Sequence, residues 1–193
     1  SPIFAAVYYV KPTGNDNNNG TSWATAYQTL QKAINTAVNN DEIWVAAGTY
    51  LPTATNGGST DRYKTFFINE NLKIYGGFNG TETQLSQRNW TTNLTILSGD
   101  IGTVGNFADN AFHVVWFSNR PSTTQLDGFT IEKGNSNLNT SHPTNGGGIF
   151  NETTTNGASS NPTIANCIIT GNYASNKGGG MRSEEHTSEL QSH

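Results

Sequence analysis

Two six-residue stretches, LDGFTI at 126–131 and IANCII at 164–169, decide how this chain is to be read. Set one above the other, they place Leu126 over Ile164, Phe129 over Cys167 and Ile131 over Ile169, at a constant offset of 38 residues (126 to 164). Each trio leads through an Asn-rich turn to a glycine triplet. The triplets, Gly146–Gly148 and Gly178–Gly180, are offset by 32 (146 to 178), and the loop Asn137–Thr144 takes up the difference. Repetition at a period of about 20 to 50 residues marks a solenoid, a propeller or an array. A propeller blade needs four strands in that interval, whereas two or three short apolar runs are all that fit. A coil of stacked parallel strands meets the pattern: neighbouring turns lie about 4.8 Å apart, Asn can ladder at the bends, and Gly turns corners without a Cβ.

Working outward, further strand-like runs bounded by Gly, Asn, Asp and Pro are expected at Ile43–Ala46, Thr65–Ile68, Leu72–Tyr75, Thr95–Leu97, Phe112–Phe117 and Ile149–Phe150. One segment departs from this. Leu30, Ala33, Ile34, Ala37 and Val38 follow the i, i+3, i+4, i+7, i+8 spacing of an apolar helical stripe, so a helix is expected over Tyr27–Val38 with Thr25 as N-cap. No second helix separates the strands, which excludes a βαβ layout. A coil of this kind leaves open strand edges at its ends, and the helix is placed to cover the first.

Composition agrees. Asn and Thr make up more than a quarter of the chain, Gly contributes 21 residues and only 12% are charged, which disfavours helices and suits strands and turns. The net charge of −4 argues against a nucleic-acid partner, which needs a basic face. The single Cys167 cannot form an internal disulfide and reads as a small core residue. No apolar run approaches the roughly 20 residues of a membrane span.

The expected organisation is 1–7, a signal-peptide remnant or first strand; 8–42, a cap segment carrying the helix; 43–181, the β-helix rungs; and 182–193, a non-native tail. The tail, RSEEHTSELQSH, matches a translated library adapter. His186, His193, Glu184, Glu185 and Glu189 are therefore set aside as site residues, and the segment is expected to add nothing to the fold. The fold class expected is all-β: a right-handed parallel β-helix with an N-terminal amphipathic capping helix, C-terminally truncated.

Two stretches also carry a family resemblance. YYVKPTGNDNNNGTSWATAYQTLQKAINTAVNNDEIWVAAGTY, Tyr8–Tyr50, resembles the N-terminal cap of secreted right-handed β-helix proteins, among them polysaccharide lyases of the chondroitinase B and alginate lyase type. IYGGFNGTETQLSQRNWTTNLTILSGDIG, Ile74–Gly102, with the later GGGIFN and NCIITGNYASNKGGGM, is similar to the polymorphic outer-membrane-protein repeats of Bacteroidetes-type surface proteins. That resemblance implies a secreted or outer-membrane-associated cell-surface location; proteins of that family commonly carry a C-terminal sorting domain, a region expected to be missing here.

Pectin hydrolases of this fold resemble one another in paired aspartates and a Gly-His-Gly segment; this chain has no Asp-Asp pair, and outside the tail it offers His113, read as a half-buried strand residue, and His142, read as an exposed loop residue. A lyase needs carboxylates holding a cation and a Lys or Arg base. Asp100, Asp109, Asp127, Lys73, Lys133 and Arg120 are available, but their spacing does not group them; Asp100 and Asp127 read as turn residues, Lys73 and Lys133 as solvent-facing charges. The loop Asn15–Gly20 (NDNNNG) imitates the start of a Ca²⁺ loop, but has Asn15 at the first ligand position and Ala26 at the twelfth, so an Asx-type turn is preferred. Of the sugar-stacking candidates, Trp44 and Trp116 read as core, Trp23 as packing the cap, and Trp90 as the least constrained. No residue is assigned a catalytic, cofactor or metal role. The function expected is a structural or adhesin-like module with an extracellular polysaccharide or cell-surface glycan as partner. The alternative is a polysaccharide lyase or glycoside hydrolase whose catalytic rungs lie in a missing C-terminal part.

Overall fold

The computed structural model describes residues 5–138, 144–154 and 159–184. In chain order the strands are β1 (Val7–Val10), β2 (Glu42–Ala46), β3 (Gly48–Tyr50), β4 (Phe66–Ile68), β5 (Lys73–Phe78), β6 (Thr95–Ser98), β7 (Val115–Ser118) and β8 (Gln125–Asp127). They continue with β9 (Thr130–Glu132), β10 (Asn135–Ser136), β11 (Ile149–Glu152), β12 (Thr163–Ala165), β13 (Ile168–Thr170), β14 (Tyr173–Ala174) and β15 (Met181–Glu184). The α-helix, α1 (Leu30–Thr36), lies between β1 and β2.

The fold is all-β and parallel. The principal sheets have the orders β1-β2-β5-β8-β12, β3-β6-β9-β13 and β4-β7-β11-β15, and β10 pairs with β14. The chain therefore visits the three large sheets in rotation, β2 then β3 then β4, β5 then β6 then β7, and each new turn adds a strand beside its predecessor. Both offsets read from sequence are registers of this stack: Leu126 pairs with Ile164 and Ile131 with Ile169, and Ile149 with Met181.

Alternation puts one residue column of each strand inside. Ile43, Ile74, Leu126 and Ile164 form one column, and Tyr50, Leu97, Ile131 and Ile169 a second. A third, Phe66–Val115–Ile149–Met181, comes from the sheet of β4. Leu126, Phe129 and Ile131 are buried, and Ile164, Cys167 and Ile169 pack partly buried against the same core. The neighbouring column Ile68–Phe117–Asn151–Ser183 turns polar as it descends. The buried Asn151 is satisfied there: its amide donates to Ser160 O at 2.6 Å and Ser183 Oγ at 3.0 Å, and its oxygen accepts from Ser160 Oγ at 2.6 Å.

Corners are fixed by side-chain ladders. Asn71 donates from its backbone to Asn39 Oδ1 (2.8 Å) and from its amide to Asn40 Oδ1 (3.2 Å), and accepts from Thr124 Oγ1 (3.0 Å) on the next turn. Asn40, at φ 76°, occupies the left-handed region that asparagine tolerates.

Several expectations need correction. The helix is shorter than Tyr27–Val38, and its N-cap is Thr29, whose hydroxyl accepts from Lys32 N, rather than Thr25, which belongs to a preceding 3-10 turn. Asp16 is the reason: its carboxylate accepts from Gln28 N and Thr29 N at 2.8 and 2.9 Å and from Thr29 Oγ1 at 2.7 Å, holding the chain extended up to Thr29. Leu30, Ala33 and Ile34 face the core against β1, β2 and β4, but Val38 lies beyond the helix and is 58% exposed. The stretches 126–131 and 164–169 each break between two strands, because Gly128 (φ 86°) and Asn166 (φ 50°) turn the chain between sheets. Val7, in the segment expected as a signal-peptide remnant or first strand, opens β1, which pairs with β2. Residues 182–184, expected to contribute nothing, extend Met181 into β15, where Arg182 pairs with Phe150 and Glu184 with Glu152; backbone pairing asks little of side-chain identity. The rest of the tail, with His186, His193, Glu185 and Glu189, lies outside the described residues, as does His142. Among the described residues no helix is long and apolar enough to cross a membrane.

Candidate binding cleft

The excursion between β5 and β6, residues 79–94, folds back over the outer faces of β5 and β6. Asn89 N donates to Gly77 O at 2.7 Å and Asn93 Nδ2 to the same oxygen at 3.1 Å, while Gly77 N donates to Thr95 Oγ1 at 2.9 Å. Gly77 (φ 93°) is required: a Cβ there would lie 2.7 Å from Trp90 N and 2.8 Å from its Cα. Glu82 shapes the start of the loop by accepting from Asn79 N, Gly80 N and Thr81 N at 2.7 to 3.0 Å.

The return carries Arg88 and Trp90. Arg88 Nη2 meets Asp127 Oδ2 at 2.9 Å, its Nη1 reaches Gly76 O and Asp127 O at 3.2 and 3.3 Å, and the guanidinium lies over the rings of Tyr75 (5.1 Å) and Trp90 (4.7 Å). The second oxygen of Asp127 accepts from Asn166 Nδ2 at 2.8 Å. Three turns are thereby tied together and the indole is propped on a neutralised cation. Burial, followed by the charges of Glu42 and Asp127, pushes the Tyr75 phenol above its ordinary value, so at neutral pH it is a hydroxyl that donates to Gln125 Oε1 at 2.7 Å.

Beside this support lies a cleft of about 360 Å³, lined by Trp90, Thr91, Leu94 and Thr95 from the excursion and β6, by Gly128, Phe129 and Thr130 from the next turn, and by Asn166 and Ile168 from the turn after. Trp90, Leu94 and Ile168 are 37, 51 and 60% exposed. Large apolar side chains left open together are a feature to explain.

The other sequence candidates have structural occupations. Asp127 is not a turn residue but the end of β8, in the ion pair just described. Asp100 and Lys133, which sequence did not group, meet at 2.8 Å, and Asp100 Oδ1 also accepts from Gly105 N at 2.9 Å; Lys133 is thus a paired charge rather than a purely solvent-facing one. The Lys133 hydrogen bond holds the Asp100 carboxyl below its ordinary value, and Asp100 holds the Lys133 ammonium above its own. That is the opposite of what a lysine base needs. Asp109 accepts from Thr103 N and Asn106 Nδ2, both at 3.0 Å, within its own loop, and Arg120 Nε donates to Ser118 O at 2.7 Å. Lys73 stands half-buried in register with Glu42 and Gln125. His113 is buried rather than half-buried, just ahead of β7, with Nδ1 2.8 Å from Gly146 O and its ring stacked on Phe150 at 4.9 Å.

In the NDNNNG loop, Asn15 Oδ1 accepts from Asn17 N at 2.9 Å and Asn19 Oδ1 from Thr21 N at 3.1 Å, as the Asx-turn reading requires. Trp44 and Trp116 are buried but on the outer side of their sheets: Trp44 stacks on Phe78 at 4.8 Å, and their indole N–H groups donate to Glu42 and Glu152. Trp23 packs on Tyr9, within the expected cap segment, and on Phe78 of β5. Cys167 is part-buried, and burial pushes its thiol up, away from thiolate reactivity.

Sign fixes how the Asp100–Lys133 pair acts on stability. The depressed carboxyl contributes above its ordinary value of 3.8 and loses its contribution as pH falls through the lower native value. The raised ammonium contributes below 10.5 and loses its contribution as pH rises through the higher native value. Melting temperatures of Asp100→Asn and the parent should differ by a constant amount across neutral pH and converge in strong acid; a gap that persists there would contradict the pairing.

No family model matches the chain, and no curated protein matches it. Among solved structures, a rhamnogalacturonan lyase is similar to it at 18% sequence identity and a TM-score of 0.42, over 94% of this chain and 45% of that one. The chain therefore spans less than half the length of that structure.

Proposed function

We propose that the stacked turns are a right-handed parallel β-helix serving as a structural, adhesin-like module of a secreted or cell-surface bacterial protein, with glycan binding at the Trp90 cleft as its activity. Right-handedness is the sense in which parallel crossovers pack. The single observation behind the binding reading is that one exposed indole, Trp90, stands with Leu94, Ile168 and the hydroxyl and amide side chains of Thr91, Thr130 and Asn166 on a support fixed by the Arg88–Asp127 pair. Apolar faces with a few convergent polar groups suit sugars, whose rings present C–H faces and hydroxyl edges. Of the candidate acids and bases, Asp100 is held by Lys133 and Asp127 by Arg88, and none of them lines the cleft.

The test is titration of the whole chain with soluble oligosaccharides by calorimetry and by tryptophan fluorescence. Trp90→Ala is expected to weaken binding at least about tenfold, equivalent to about 1.4 kcal/mol, in a chain whose circular dichroism shows it still folded. Undiminished binding in that variant would remove the cleft from consideration.

A further inference from the structure

The Trp90 cleft has a direction and a charge, and both restrict what can fill it. Ile96, Thr130 and Ile168 stand in register on the outer side of β6, β9 and β13. The cleft draws Thr95, Thr130 and Ile168 from those three successive turns. With turns about 4.8 Å apart, three of them span about 10 Å along the stacking direction, which is close to two linked pyranose rings. A chain lying along the strands would meet one turn only.

Nor is any lining side chain charged. Arg88, the nearest cation, is committed to Asp127, to two carbonyl oxygens and to two ring faces, and the remaining oxygen of Asp127 is held by Asn166. A uronate carboxylate entering here would lose water beside Trp90, Leu94 and Ile168 with no free cation to receive it, an unfavourable transfer. Hydroxyl groups fare differently, because Thr130 and the Asn166 carbonyl are neutral partners and the Thr91 hydroxyl, though it donates to Asn89 Oδ1 at 2.7 Å, can still accept.

We infer that the cleft takes a neutral oligosaccharide whose chain runs along the stacking direction, two sugar units filling it. This rests on the glycan-binding reading above and narrows it. The experiment titrates the whole chain with neutral gluco-, galacto-, manno- and xylo-oligosaccharides of one to four units, and with galacturonate oligomers of the same lengths, at low and high salt. At least one neutral series should bind, with affinity rising about tenfold or more from one unit to two and levelling off by three, insensitive to salt. The galacturonate series should be at least about tenfold weaker. Trp90→Ala and Ile168→Ser, at opposite ends of the cleft, should each abolish the gain from the second unit.

Galacturonate oligomers binding as tightly as neutral ones, or an affinity already complete with a single unit, would overturn the inference while leaving glycan binding standing. Absence of binding by every oligosaccharide, or binding that Trp90→Ala leaves untouched, would overturn the glycan reading and this inference with it.

Discussion

Gly147→Ala is expected to lower stability by about 3 kcal/mol or more, at the severe end for a single methyl group. The middle residue of the glycine triplet has no room: a Cβ would run into the carbonyl of Tyr173 and sit 2.9 Å from Gly179 O. These are backbone atoms of the next turn, so no rotamer change relieves the clash, unlike ordinary overpacking of side chains. Relief by displacement would also disturb hydrogen bonds on both sides, since Gly147 O accepts from Val114 N at 3.2 Å and Gly148 N donates to Gly179 O at 3.0 Å. For a chain of this size the loss corresponds to a melting temperature lower by about 6–12 °C. Gly180→Ala is the control: its added Cβ meets only Ile169 Cγ2, at 3.3 Å, and its φ is unremarkable, so its melting curve should lie close to the parent's. Equal effects at the two positions would show that close stacking of backbones is not what the triplets are for.

Leu30→Asp is expected to remove about 4 kcal/mol or more. Leu30 is 1% exposed and packs with Ala33, Ile34, Tyr27 and Val10 over the first turn. Loss of its burial accounts for about 2 kcal/mol, and a carboxylate without a cation in its place accounts for the rest. Val38→Asp, at a position 58% exposed just past the helix, should be nearly neutral. The pair separates a specific covering role for α1 from a general intolerance of charge near residue 30, and equal chemical denaturation midpoints for the two variants would sink that role.

How far the fold was legible follows from what repeats. Apolar trios and glycine triplets recur because every turn must fill the same interior and bend at the same corner, so their offsets were already the registers. Short strands such as Gly48–Tyr50, Asn135–Ser136 and Tyr173–Ala174 were not, since two or three residues with one inward side chain leave no period to detect. The cleft was less legible still. Trp90 stands out in sequence as unconstrained, but its companion Ile168 lies 78 residues on, two turns away, and nothing in the sequence around Arg88 marks it as a support. One signal went unused: Lys133 lies 33 residues after Asp100, and Asp127 39 after Arg88, each about one turn of the coil. Opposite charges separated by the repeat length are neighbours in a stack, and a search at that spacing would have found both pairs.

The descending change in the interior columns has a consequence for how the molecule comes apart. At the upper turns Ile43, Ile74, Tyr50, Leu97 and Phe66 are fully or almost fully enclosed, whereas Ile164 and Ile169 are partly open, Met181 is 43% exposed, and Asn151 and Ser183 replace the apolar side chains above them. In a chain of units that contact only their neighbours, stability is a sum of unit and interface contributions. An uneven series of that kind frays from its weaker end rather than melting as a block. Amide exchange should therefore form a front, fastest at β12–β15 and retreating turn by turn toward the α1 end. The Trp90 cleft, which takes Asn166 and Ile168 from the turn that opens first, would lose its lower wall well before the core around Leu30 and Ile43 yields, so ligand occupancy would act as a brake on unzipping.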